Sequence, residues 1–202
     1  MAPTRQLTIF APAEALEALT PLAREGFGVD VAAGVCLRHT LAQDLGLGDE
    51  CVEQRIQTVF LDGSPVDDID SDHARPGSAL ALAGALPGVA GIAMQRGSRI
   101  GVYREGITHQ AEANLPPSGR TLRITLKLFN VVAVECLAQV LTRGVELRSG
   151  RFAELLAANP QALALAAFEL DGQALSRAEL QQALHGGNAP VRIVAARPGA
   201  RP

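Results

Sequence analysis

The 202-residue chain contains no tryptophan, a single tyrosine and only six phenylalanines. Proteins that hold unpaired bases stack them on aromatic side chains, so this composition argues against a platform for single-stranded nucleic acid. Lysine is almost absent as well, since Lys127 is the only lysine among 18 basic residues, and the net charge is -3. No basic stripe for a phosphate backbone is expected, and we predict no nucleic-acid partner.

Cysteine is scarce, and long apolar runs are missing. Cys36, Cys51 and Cys136 form an odd set without CxxC spacing, which predicts neither a disulfide framework nor a zinc knuckle. We interpret Cys51 and Cys136 as small buried hydrophobes. The N-terminal residues lack the apolar run of a secretion signal, and no uncharged apolar stretch is long enough to span a bilayer. We therefore expect a cytoplasmic protein without a membrane partner.

Hydrophobic residues make up 48% of the chain and charged residues 19%, which is enough apolar material for a packed core. The clearest pattern is an internal repeat between residues 7–34 and 126–150. Each copy runs from an apolar strand through an Ala/Leu-rich helix and an arginine near a glycine into an alternating strand. The corresponding residues are Phe10 and Phe129, Gly26 and Gly144, and Gly34 and Gly150.

The repeat continues with the same order of elements. A helical pattern is followed by an apolar run that ends in Leu-Asp-Gly, then by a glycine-containing turn and a last strand. The corresponding segments are 36–47 and 151–160, 56–63 and 163–172, and 78–88 and 190–199. Gly63 and Gly172 are therefore predicted to lie in equivalent turns.

Three short phrases carry a resemblance to a known family. They are Asp62-Gly63, Pro76-Gly77-Ser78 and Pro87-Gly88-Val89-Ala90-Gly91. With the strands around them they resemble the small sulfur-carrier proteins of molybdopterin and thiamine biosynthesis, which are ubiquitin-like β-grasp domains. The resemblance covers residues 7–91 and, more weakly, 124–199.

The resemblance implies an α+β fold of two tandem β-grasp (ubiquitin-like) units, each a mixed sheet with one main helix packed on it. We expect unit 1 over residues 1–91 and unit 2 over 122–202, the latter with a disordered tail. A linking segment over 92–121 is expected to contain a short extra strand near Ile100 and Val102.

One departure from the family concerns the reactive end of the chain. Sulfur carriers end in a diglycine whose terminal carboxylate is activated, whereas here Gly91 is followed by Ile92 and the chain ends at Pro202. A carrier role would require cleavage after Gly91. The carrier-like turn formed by Pro87, Gly88 and Gly91 is more typical of a glycine turn that leaves a strand.

Two polar patterns bear on metal binding. Residues 62–73 contain five aspartates, but a calcium loop starting at Asp68 would need glycine at position six, where His73 stands. We therefore interpret the segment as a solvated turn rich in aspartate. Cys36 and His39 are one helical turn apart, yet no second ligand pair completes a zinc site. We predict neither a metal nor a cofactor.

The linking segment holds a cluster of basic side chains. Such a cluster is a candidate anion-binding rim, although the favoured interpretation is a solvated face of the linker. Its members are Arg96, Arg99, Arg104 and His109. Glu105, Thr108 and His109 add an acid, a hydroxyl and a base, so an enzymatic use of the segment 96–109 stays open.

These observations favour a non-enzymatic β-grasp protein that binds another protein, whose identity the sequence does not give. Exposed strands of such sheets accept a partner strand, which would also permit a homodimer through sheet edges. Two alternatives stay open. One is a degenerate or fused sulfur carrier, and the other is a small-molecule-binding enzyme that uses residues 96–109.

Overall fold

Alternation of apolar and polar residues builds the strands of the protein. In β2 (Phe27–Ala32), for example, Phe27, Val29 and Val31 are buried while Asp30 is exposed. The structure is a computed structural model and describes residues 4–109 and 119–199. The other strands are β1 (Arg5–Phe10), β3 (Thr58–Leu61), β4 (Ser64–Pro65), β5 (Ala79–Ala83), β6 (Thr121–Leu128), β7 (Val145–Arg148), β8 (Ala167–Leu170), β9 (Gln173–Leu175) and β10 (Pro190–Ala196).

Helices connect the strands. The α-helices are α1 (Ala13–Leu16), α2 (Thr20–Glu25), α3 (Leu37–His39), α4 (Gly88–Met94), α5 (Asn130–Glu135), α6 (Leu137–Arg143), α7 (Ser149–Ala158) and α8 (Arg177–Leu184). Wider π-type turns cover Thr40–Asp44 and Cys51–Arg55, and 3₁₀ turns cover Glu17–Leu19 and Gly101–Ile107. Gly26 and Gly144 end α2 and α6 at φ +123° and +88°, so this repeated glycine has the same role in both copies.

The ten strands of the described residues form one mixed sheet in the order β4-β3-β5-β6-β2-β7-β10-β1-β8-β9. The first strands of the two copies are exchanged between its halves. β1 pairs with β10 and β8 of the second copy, whereas β6 pairs with β5 and β2 of the first. The fold is thus α+β with a single continuous sheet, and each half depends on a strand from the other copy.

The Leu-Asp-Gly sequences form matching hairpin turns. Asp62 and Gly63 have φ of 52° and 86°, and Asp171 and Gly172 have 54° and 84°. Two consecutive residues with positive φ define the tight turn that suits a β-hairpin, and Asp-Gly is a favoured pair for it. Gly63 joins β3 to β4 and Gly172 joins β8 to β9, so the predicted equivalence is confirmed.

The helices cover one face of the sheet and bury its apolar side chains. α2 packs on β6, α6 on β10, α7 on β7 and α8 on β8. The largest fully buried side chains include Phe27 and Phe152. Because the core runs beneath both halves without a break, separating them would expose apolar surface at roughly 25 cal/mol per Å².

An ionic ladder crosses the middle of the opposite face. Arg123 of β6 contacts Asp30 of β2 at 2.6 Å and Glu146 of β7 at 2.6 Å. Arg192 of β10 reaches Asp30 at 3.5 Å. β2 and β7 share a single residue pair, Gly28 with Glu146, so these ion pairs reinforce the narrowest contact between the two halves.

The segment after β5 differs from the prediction. A short strand was expected near Ile100 and Val102, but residues Gly101–Ile107 form a 3₁₀ turn that follows α4. Apolar residues at Ile100 and Val102 suit either conformation, because such short runs do not separate a strand from a helical turn. The predicted disordered tail covers residues 199–202, of which 200–202 lie outside the described residues.

Candidate functional site

Two of the predicted rim arginines are occupied by internal acceptors. Arg96 donates to the carbonyl oxygens of Val52 at 2.7 Å and Ile56 at 2.9 Å, which closes the end of the turn Cys51–Arg55. Arg104 is 4% exposed, contacts Asp67 at 2.6 Å and donates to Thr108 at 2.9 Å. Both guanidinium groups therefore bind groups within the protein, and Arg96 also lines a polar cleft of about 490 Å³ beside Glu53 and Asp67.

Of the two other predicted rim residues, His109 has an internal partner and Arg99 does not have one among the described residues. The Nδ1 atom of His109 lies 2.7 Å from Asp72, whose side chain is buried, while Arg99 is exposed. Thr108 binds Arg104, and the Glu105 side chain lies outside the described part of the structure. Arg96, Arg104 and His109 thus have internal partners, and the anion-binding rim and the enzymatic alternative for 96–109 stay predictions.

The predicted carrier-like turn of Pro87, Gly88 and Gly91 forms part of a helix. Pro87 precedes α4 and Gly88 begins it, so the phrase starts a helix instead of a flexible tail. Gly91 is buried in that helix, and an added Cβ would collide with the carbonyl group of Leu86. The glycine here permits close backbone packing.

The aspartates of 62–73 bind neighbouring protein groups. Asp62 accepts hydrogen bonds from Ser78 and from the Ala79 amide, and Asp70 and Glu53 hold Arg38. Hydrogen bonds from Arg38 keep the pKa values of both Asp70 and Glu53 below their usual range. Within residues 4–109 and 119–199, no group of three or more His, Cys, Asp or Glu side chains is placed to hold a metal ion.

The structure brings together two cysteines that the sequence does not connect. The Cys51 and Cys136 sulfurs lie 2.7 Å apart although 85 residues separate them in the chain. Cys51 lines a cavity of about 290 Å³ together with Gly48, Glu50, Arg55, Glu135 and Gln139. We call it the thiol cavity. No local spacing could have signalled this pair, because its members come from different copies of the repeat.

A second cleft of about 380 Å³ lies beside α6, and we call it the α6 cleft. It lies at the carboxyl ends of the parallel strands β1 and β10 and shares Gln139 with the thiol cavity. Its walls are mostly small and apolar, with polar groups at the rim. They are Ala11, Ala13, Leu16, Gly46, Ala138, Gln139, Thr142, Arg143, Ala195, Ala196 and Arg197.

Arginines mark the rim of the α6 cleft. Arg143 and Arg197 are exposed, and among the described residues no carboxylate is in salt-bridge contact with either guanidinium. Gly46, at φ +71°, lies beneath Arg143, and a Cβ at that position would be 2.6 Å from Arg143 Nε. Position 46 therefore favours glycine, because of its positive φ and because a side chain there would displace the Arg143 guanidinium.

Comparison with known proteins gives no family to set beside this geometry. The chain matches no protein-family model, and neither a curated protein nor a solved structure matches it. Over the residues that the structure describes, each helix is too short or too polar to cross a bilayer. The functional argument therefore depends on the site itself.

Proposed function

We propose that the protein is a non-enzymatic binding protein, built from two β-grasp-type units, that docks an acidic peptide segment of another protein in the α6 cleft. The observation that carries this proposal is the pairing of an alanine-rich floor with two arginines that have no carboxylate partner among the described residues. Each half of the sheet, with helices on one face, has the mixed architecture that a β-grasp origin requires.

Charge complementarity argues for an acidic occupant. The guanidinium fork of arginine matches a carboxylate with two parallel hydrogen bonds, and Arg143 and Arg197 flank one cleft. Elsewhere in the protein arginines such as Arg5, Arg38 and Arg123 already hold an aspartate or glutamate. Arg143 and Arg197 differ from these arginines in that the described residues place no carboxylate on either of them.

Shape argues for a peptide. The lining contains many short side chains, and Ala11, Leu16 and Ala195 contribute apolar atoms to it. Small-molecule sites enclose most of their ligand, whereas a shallow apolar groove with charged rims suits an extended or helical segment. We expect the occupant to alternate acidic residues with small apolar ones.

The two alternatives have less support. A sulfur carrier needs a free chain end at Gly91, which is buried in α4. An enzyme using 96–109 needs side chains free to meet a substrate, whereas Arg96, Arg104 and His109 bind internal groups. An intact mass in cells that corresponds to a fragment ending at Gly91 would restore the carrier reading.

A random-peptide display library tests the proposal with a defined probe. Selection on the full chain should enrich acidic peptides with small apolar residues, and fluorescence polarisation should then give their affinities. Replacing both cleft arginines, Arg143→Glu and Arg197→Glu, should weaken binding by at least about tenfold, since one charge-assisted hydrogen bond contributes roughly 1.5–3 kcal/mol.

Arg99→Glu is the matched control, because Arg99 is equally exposed and lies outside the lining of the cleft. It should leave the affinity unchanged. The proposal fails if the library enriches no acidic peptides, or if the enriched peptides bind the double cleft variant as tightly as the original protein.

A further inference from the structure

A pair of thiols bridges the two copies of the repeat beneath the thiol cavity. Cys51 begins the turn Cys51–Arg55, and Cys136 lies at the junction of α5 and α6. Their sulfur atoms are 2.7 Å apart, with both cysteines in the thiol state. At this separation a sulfur–sulfur bond needs only a small approach of two side chains that already face each other.

The two thiols differ in access to solvent. Cys51 is half-buried and lines the thiol cavity, whereas Cys136 is fully buried. Burial raises the pKa of the Cys136 thiol, and its contact with Cys51 raises it further. A small oxidant can therefore reach Cys51 first, while Cys136 waits behind it as an uncharged thiol.

The groups at the mouth of the cavity are charged. Arg55 lies four residues after Cys51 and contacts Glu135 at 3.1 Å, directly before Cys136 in the chain. A cavity of about 290 Å³ with this polar rim admits a small polar molecule to the Cys51 sulfur. Redox-sensing cysteines are accessible to solvent and often lie beside a second thiol that captures the oxidised form.

We propose that Cys51 and Cys136 are a redox modification site, at which a small hydroperoxide closes a reversible disulfide between the two copies of the repeat. This assignment is independent of the peptide-binding function proposed for the α6 cleft.

The chemistry balances in two steps. The Cys51 thiolate attacks one oxygen of the hydroperoxide, the O–O bond breaks, and the departing alkoxide or hydroxide takes a proton. Cys51 is then a sulfenic acid. The Cys136 sulfur attacks the Cys51 sulfur, the S–O bond breaks, and hydroxide leaves with the Cys136 proton as water. The sum is two thiols and one hydroperoxide giving a disulfide, an alcohol or water, and one water. Two equivalents of an external thiol reverse the reaction.

Hydrogen peroxide titration of the folded full-length protein tests the site. Peptide mapping without reductant should find Cys51 linked to Cys136, with a loss of about 2 Da per chain that dithiothreitol restores. Cys36→Ser is the matched control because it removes the third cysteine, and it should leave the linkage intact.

Two further variants separate the roles of the thiols. Cys136→Ala should accumulate a dimedone-reactive sulfenic acid at Cys51, whereas Cys51→Ser should leave Cys136 unlabelled in the folded protein. Circular dichroism confirms that each variant is folded, and the wild-type mapping decides the proposal by itself. The proposal is overturned if folded wild-type protein forms no Cys51–Cys136 linkage under excess peroxide, or if Cys36 is oxidised before either of them.

Discussion

Asp171 and Asp62 accept equivalent hydrogen bonds from strands that lie in different parts of the chain. Each carboxylate accepts a backbone amide of the strand beside its hairpin: Asp171 binds the Gln6 amide at 2.8 Å, and Asp62 binds the Ala79 amide at 2.7 Å. Gln6 belongs to β1 and Ala79 to β5. The N-terminal strand thus has, in the second half of the sheet, the place that β5 has in the first.

This relationship predicts that Asp171 fastens the N-terminal strand. Asp171→Ala removes the bond to Gln6 and the ion pair with Arg5, and we expect the free energy of unfolding to fall by about 1–2 kcal/mol. The Gln6 amide should also exchange faster with deuterium. Asp62→Ala is the matched variant, and it should speed exchange at Ala79 instead. Unchanged protection of Gln6 in Asp171→Ala would contradict this account.

The exchanged strands predict one cooperative unfolding transition. β2 and β5 both need β6, so a fragment of residues 1–91 lacks the strand between them and should not fold. Calorimetry on the full chain should show a single peak whose calorimetric and van't Hoff enthalpies agree. Two separated transitions, or a fragment as stable as the whole protein, would show that the halves are independent.

Gly46 and Gly48 form a matched pair for testing the wall of the α6 cleft. Gly46→Ala places a side chain at φ +71° and against Arg143, so we expect a loss of roughly 1–2 kcal/mol and weaker peptide binding. A Cβ at Gly48 would meet nothing within 4 Å, and Gly48→Ala should change stability little. Denaturant unfolding measures both variants, and unchanged peptide binding by Gly46→Ala would argue against a role of Gly46 in placing Arg143.

The ion pairs of Arg38 predict that the stability of the protein depends on pH. Hydrogen bonds from Arg38 lower the pKa values of Asp70 and Glu53 below those of the unfolded chain. The ion pairs therefore stabilise the folded protein above about pH 4, and this stabilisation is lost as the pH falls through the lowered pKa values. Arg38→Gln should cost at most about 1 kcal/mol at pH 7, since these groups are largely exposed to solvent. The two proteins should become equally stable near pH 2. A difference that persists in acid would assign the effect to packing.

The positions of helix ends and hairpin turns could be predicted from the sequence. Gly26 and Gly144 end helices, and the Asp-Gly turns join hairpins, because positive φ values restrict those positions to few residue types. Which strands pair with each other in the sheet could not be predicted. β1 and β6 have similar apolar patterns and could satisfy either half of the sheet, since alternation decides which face is buried and not which neighbour is chosen.

The site residues show the same division. A basic run at 96–109 suggested an anion site, but a count of charges does not reveal the buried carbonyls and Asp67 that Arg104 contacts. The pairing of Arg143 with Arg197 could not be predicted from the sequence, because the two residues are far apart in the chain. They line one cleft only because β10 lies beside α6. Long-range pairing created both the cleft and the thiol pair.

The place of β1 has a consequence for biosynthesis. A ribosome releases this strand long before its neighbours β8 and β10, which belong to the second copy of the repeat. During translation β1 therefore remains an unpaired apolar strand, which is the kind of segment that chaperones shield and that aggregates when left exposed. At high expression, two nascent chains could each donate β1 to the other, giving an entangled dimer of otherwise native subunits.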